Sequence, residues 1–186
     1  LITPFKNEKV DYNSLELLIE KQLNANIDAL IILGTTGEPA TISPKERKEI
    51  INFCKKATNN KTKLIIGCGS NDTQKAIKLY NQAEEMGADG ALIVTPYYNK
   101  CSQNGLVEHY EKISENGSLP IIVYNVPSRT GVNILPDTMK SLTSIKNICG
   151  LKEANGNINQ ILDDFAQCNL ITAIYSGEDL LNSIFY

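Results

Sequence analysis

Short β-branched runs recur along the chain, each entered through Gly or polar residues and each followed by a helix-like stretch. This period limits the fold more than any other feature of the sequence. The runs begin near Ala29 (ALIILG), Lys63 (KLIIGCG), Gly90 (GALIVTP), Pro120 (PIIVYNV), Ile148 (ICGLKE) and Ile171 (ITAIYSG), at spacings of 34, 27, 30, 28 and 23 residues. Each run is apolar at both alternating positions, the pattern of a parallel strand covered on both faces. Leu1-Ile2-Thr3-Pro4 reads as the tail of one more strand, giving seven.

Helix signals fill the intervals. Asp11 caps a helix with a stripe of Leu15, Leu18, Ile19 and Leu23. Ser43-Pro44-Lys45-Glu46 combines a Ser cap, Pro at the first helical position and a capping-box Glu. Asp72 opens a third helix that stops at Gly87, where a left-handed cap is wanted. Ser102 to Asn116, Pro136 to Thr143 and Asn157 to Cys168 supply three more. Strict βα alternation without a Gly-x-Gly-x-x-Gly turn after the first strand favours a (β/α)8 TIM barrel over a doubly wound nucleotide-binding sheet. A whole barrel of this kind has eight strands and about 250 residues. The expectation for these 186 residues is therefore one barrel domain over 1–186, truncated at both ends and lacking the eighth strand and the C-terminal helices.

Composition removes several functions. Lys and Arg number 18 against 21 Asp and Glu, with no basic block, so nucleic acid is not an expected partner. The longest aliphatic run, Ala29 to Leu33, is far short of the about 20 residues that span a bilayer. Five scattered cysteines without CxxC fit reduced thiols in a cytoplasmic protein. The single histidine, His109, cannot build a multi-histidine metal site and reads as a solvated residue of an amphipathic helix.

In such a barrel the chemistry gathers at the C-terminal ends of the strands. Those ends carry Gly34-Thr35-Thr36-Gly37-Glu38, Thr95-Pro96-Tyr97-Tyr98-Asn99, Tyr124 to Gly131, Gly150-Leu151-Lys152-Glu153 and Ser176-Gly177-Glu178-Asp179. Lys152 lies in an apolar strand, where burial lowers an ammonium pKa and frees the amine for Schiff-base chemistry; pairing with Glu153 or snorkelling at the strand end is the plainer alternative. The Gly-Thr-Thr-Gly turn can cradle a carboxylate or be only a tight turn. Tyr97, Tyr98 and Tyr124 suit a core, an interface or a proton shuttle, and Arg129, in a loop bounded by Pro127 and Gly131, is either a solvated charge or a fork for a carboxylate. Together they make the set a carbonyl acid substrate needs: amine nucleophile, phenol, carboxylate cradle and cation.

Thr35-Thr36-Gly37-Glu38, Tyr97-Tyr98-Asn99, Tyr124-Asn125-Val126-Pro127-Ser128-Arg129-Thr130-Gly131 and Gly150-Leu151-Lys152-Glu153-Ala154 closely resemble the dihydrodipicolinate synthase (4-hydroxy-tetrahydrodipicolinate synthase) family, pyruvate-dependent class I lyases. The resemblance covers essentially the whole chain. It implies condensation of pyruvate with L-aspartate 4-semialdehyde in the diaminopimelate route of lysine biosynthesis. Lys152 would form the imine, Tyr124, Thr35 and Tyr98 would relay protons, and Thr36, Arg129 and Gly177 would bind substrate. It also implies a homodimer or homotetramer, with Tyr98 reaching into the neighbouring subunit, and no metal or organic cofactor. A pyruvate lyase of the N-acetylneuraminate lyase type, or a non-catalytic fragment, are the alternatives. In family members inhibited by lysine, a glutamate is expected at the place of Lys75 and a histidine or similar polar group in the region flanked by Pro39 and Pro44, although Asn71 and Tyr97 match. Weak or absent feedback by lysine follows.

Overall fold

The computed structural model describes residues 1–168 and 173–177. Among them a hairpin of β1 (Phe5–Lys6) and β2 (Lys9–Val10) leads into α1 (Tyr12–Asn24). Then come β3 (Ala29–Ile32), α2 (Pro44–Thr58), β4 (Lys63–Gly67), α3 (Thr73–Glu85), β5 (Gly90–Val94), α4 (Gln103–Ser114) and β6 (Ile121–Asn125). The chain continues through α5 (Pro127–Thr130), α6 (Pro136–Leu142), β7 (Ile148–Glu153), α7 (Ile158–Gln167) and β8 (Ala173–Ser176). Strands β3 to β8 form one parallel sheet in sequence order, the curled wall of an incomplete TIM barrel.

The caps anticipated from sequence close the helices. Asp11 accepts from the Ser14 amide, and Asp72 from those of Gln74 and Lys75. Ser43 and Glu46 complete the reciprocal capping box. Gly87 takes φ +74° just beyond α3, the left-handed position its lack of Cβ permits.

Residue alternation sorts the sheet into two cores. Leu30, Ile32, Leu64, Ile66, Ala91, Ile93, Ile121, Val123 and Leu151 pack outward with the helices. Leu92, Ile122, Tyr124, Val126 and Ala154 form a smaller cluster on the other face, joined by Ile31, Ile65 and Val94. Such segregation follows from side chains pointing to opposite faces at successive positions. One irregularity interrupts the ladder: Ile121 pairs with Ile148 but Ile122 pairs with Gly150, so Cys149 is an extra residue on β7.

Three expectations need correction. The parallel sheet has six strands among the described residues, because 1–4 is not one of them. The Leu1 nitrogen donates to the Ile31 carbonyl at 2.7 Å, but Pro4 has no N–H for a ladder and its carbonyl accepts from Asp11 to close the hairpin instead. His109 is 4% exposed rather than solvated. It falls three residues after Leu106 and four before Ile113, inside the buried stripe of α4. The loop expected from Pro127 to Gly131 is a single helical turn, begun by Pro127 and ended by Gly131 at φ +71°. Glu178 and Asp179 lie outside the described residues. Among the described residues no helix is long and apolar enough to cross a membrane.

Candidate active site

Strands β6 and β7 place Tyr124 and Lys152 side by side in the ladder. The Lys152 ammonium stands 4.3 Å from the centroid of the Tyr124 ring, a cation–π contact. Burial holds its pKa below the ordinary lysine value, favouring the neutral amine. The pairing with Glu153 that sequence left open does not occur: adjacent strand residues face opposite ways, and Glu153 is bonded to Asn125 on the outer side. Gly177 at the end of β8 flanks the lysine. Its N–H donates to the Glu153 carbonyl at 2.6 Å, and a Cβ there would come within 3.2 Å of Lys152 Cε and 2.8 Å of Ala154 Cβ.

A cavity of about 600 Å³ opens at the same ends of the strands. Thr35, Tyr124 and Arg129 line it, with Val94, Val126 and Thr130 among the surrounding walls. Thr35 is held there by a strained turn: Leu33 has φ +54°, and the following 3-10 turn, Thr35–Gly37, ends at Glu38 with φ +51°. Gly67 on β4 makes room for that turn, since a Cβ on it would lie 2.0 Å from the Leu33 carbonyl oxygen. Thr3 fastens the other side, its hydroxyl donating to the Gly37 carbonyl at 2.8 Å. Thr36 is exposed on this turn, beside Thr35 but outside the cavity lining. Tyr98 is outside the cavity lining as well: it is 89% exposed and sits at φ +73°, an unfavourable conformation for an aromatic residue.

Arg47, on the first turns of α2, is not among the residues that the sequence pattern singles out. It is buried and lines the cavity, donating from Nη1 to the Gly67 carbonyl and from Nε to Gln82 Oε1, both at 3.0 Å. Its place with Ile50, Ile51 and Cys54 on one face of α2 was the available signal. Lys75 lines the same cavity, so its outer part carries two cations from α2 and α3. Burial raises the neighbouring Cys68 thiol to about 11. All five cysteines are free. Among the described residues no three His, Cys, Asp or Glu side chains gather as metal ligands.

A lysine of depressed basicity against a tyrosine, at the C-terminal ends of parallel strands, is the arrangement expected of Schiff-base chemistry. The model of the dihydrodipicolinate synthetase family matches residues 1–184. The chain belongs to this family. It is 47% identical over 179 residues to 4-hydroxy-tetrahydrodipicolinate synthase 1 of Clostridium acetobutylicum, covering 96% of this chain and 61% of that protein. Against the corresponding synthase of Caldicellulosiruptor saccharolyticus the identity is 51% over 180 residues, with 96% and 61% covered. The crystal structure of dihydrodipicolinate synthase from Thermotoga maritima superposes with a TM-score of 0.94 at 44% identity, over 96% of this chain and 62% of that one. The chain thus spans about three-fifths of the length of these relatives.

Proposed function

We propose that the protein condenses pyruvate with L-aspartate 4-semialdehyde to 4-hydroxy-tetrahydrodipicolinate, a step toward lysine, acting in the cytoplasm as a homodimer or homotetramer. The observation that carries this reading is the Lys152 amine, its basicity lowered by burial, over the Tyr124 ring. The neutral Nζ attacks the ketone carbon of pyruvate; the carbonyl oxygen leaves as water and an imine remains. The cationic imine acidifies the methyl group, whose proton is lost to give an enamine, and the enamine carbon attacks the aldehyde carbon of the second substrate. Attack of the substrate's own amino group on the imine carbon then closes the ring and returns the lysine amine. No metal or organic cofactor enters these steps.

Tyr124 is adjacent to the nitrogen and is assigned the proton transfers, with Thr35 in the cavity wall and Tyr98 as the outer members of the relay. Thr36 and the glycine beside Lys152, Gly177, are assigned to the pyruvate carboxylate, where only small groups leave room for it. Arg129, on the short helix that follows β6, is assigned to the carboxylate of the semialdehyde, which a guanidinium grips with two parallel hydrogen bonds. The exposure and positive φ of Tyr98 support its use by a neighbouring subunit, since strain of this kind persists where function retains it.

Borohydride reduction in the presence of pyruvate, followed by peptide mapping, tests the reading. The expected result is a pyruvate adduct on the peptide containing Lys152; folded protein that yields none refutes it. Supplying aspartate semialdehyde or N-acetylneuraminate to the same protein then identifies the partner.

A further inference from the structure

The outer side of β7 carries a second cluster, back to back with the lysine. Glu153 is 4% exposed and accepts from Asn125 Nδ2 at 3.0 and 2.9 Å and from the Asn155 amide at 2.8 Å. Asn125, wholly buried, also donates to Asn133 Oδ1 at 2.8 Å and accepts from the Ile134 amide at 3.0 Å. Gln160 of α7 ties in by accepting from Asn133 Nδ2 and donating to the Ile134 carbonyl, each at 2.8 Å.

One helical turn beyond Gln160, Asp164 is 1% exposed and brings its carboxyl to Glu153. The Gln160 amide is the donor beside it and favours its charged form, but neither Asp164 oxygen has a partner of good geometry among the described residues. The titratable groups near it are Glu153 on β7 and Asp163 and Cys168 at its own end of α7. Helix α6, which packs on α7, buries Thr138, Met139 and Leu142 and no ionisable side chain. Two carboxyl groups therefore meet in a dry place with neutral amides around them and, among the described residues, no cation.

We propose that Glu153 and Asp164 share one proton as a buried acid pair, and that this pair positions the end of β7 so that Lys152 stays over Tyr124. Two carboxylates cannot both ionise at such a site, so one must keep its proton and donate it to the other. Burial first, and the Glu153 charge second, hold the Asp164 carboxyl up at about 7. Burial also raises Glu153, whose charged form the Asn125 and Asn155 donors favour, so the proton rests on Asp164. Asn125 pairs with Glu153 in the register step next to Tyr124 and Lys152. The Ala154 amide donates to the Asn125 carbonyl at 2.9 Å, and Gly177 pins the Glu153 carbonyl from the other side. A proton lost from the pair places two negative charges against each other one residue from the amine, and the strand end must give.

The functional half of this inference rests on the imine reading, so two readouts are needed. The intact protein, Asp164→Asn and Asp164→Ala are compared. The infrared difference spectrum between about pH 6 and about pH 9 reports a protonated buried carboxyl directly. The rate of borohydride-trapped pyruvate adduct reports Lys152 over the same range. The expected result is a protonated-carboxyl band at the lower pH, absent from both variants. Trapping by the unsubstituted protein should show an alkaline limb that falls above about pH 7, missing from Asp164→Asn, whose amide donates to Glu153 at every pH. Asp164→Ala should be slower by about tenfold throughout, the scale of a misplaced nucleophile. Absence of the band, or an Asp164→Asn profile that superimposes on the unsubstituted one, overturns the proposal. An intact band with no adduct in any of the three proteins overturns the imine reading and the positioning role with it, while the acid pair stands.

Discussion

Acidification should be felt where α3 meets α4. The His109 ring is buried there with its Nδ1 2.9 Å from the Thr73 hydroxyl, and its Nε2 has no hydrogen-bond partner among the described residues. Burial alone depresses its pKa from 6.5 to about 4. The folded protein therefore binds fewer protons than the unfolded chain between those values. The stability that the neutral ring contributes is complete above 6.5 and is lost as pH falls toward 4. Between about pH 7.5 and 4.5 the loss amounts to about 2 to 3 kcal/mol.

Asp164 acts with the opposite sign over the same interval. Its carboxyl is held up at about 7 instead of 3.8, so acidification relieves a cost of about 3 kcal/mol. The two contributions nearly cancel, and the pH profile of the unsubstituted protein conceals both. His109→Gln, which can still hydrogen-bond Thr73 but cannot titrate, separates them. Urea unfolding at the two pH values should show the variant gaining about 2 to 3 kcal/mol relative to the unsubstituted protein on acidification. A difference between the two proteins below about 0.5 kcal/mol would refute the claim that burial holds this ring neutral.

Gly67→Ala should lower stability by about 1 to 3 kcal/mol, because its methyl would strike the Leu33 carbonyl; an unchanged melting temperature counts against that packing. Arg129→Lys should raise KM for the semialdehyde by about tenfold while KM for pyruvate stays level, since an ammonium cannot form the fork; steady-state kinetics with each substrate varied would show it. Free lysine should leave the rate nearly unchanged, because Arg47 and Lys75 both present positive charge in the cavity. Strong inhibition in a titration at neutral pH would contradict this.

Much of the scaffold was legible because its signals are local. The strands beginning at Ala29, Lys63, Gly90 and Ile148 start where the apolar runs do, and Asp11, Ser43, Asp72, Ser102 and Asn157 cap helices through their own neighbouring amides. The unusual setting of Lys152 was legible too, because a charge inside an apolar strand is costly anywhere, and burial does hold its pKa down. What escaped depends on docking between elements. His109 looks polar in isolation and is buried only because α4 packs against α3 and the sheet. Asp164 stands next to Asp163 in a helix rich in polar residues, and only the seating of α7 shows which of the two meets Glu153. The seven-strand count fails at residues 1–4, an apolar stretch in which Pro4 cannot sustain a ladder.

The extra residue on β7 has a consequence for what the site contains. Side-chain direction in a strand is a matter of parity, odd against even, and a slip of one exchanges the two faces. Counting from the Ile121–Ile148 pair without the bulge, Leu151 would stand beside Tyr124; with Cys149 inserted, Lys152 does. Which side chain stands beside Tyr124 is thus decided three residues earlier, by the bulge that absorbs Cys149. A residue inserted between Ile148 and Gly150 that the bulge did not absorb would set Leu151 beside Tyr124 even with every motif residue intact.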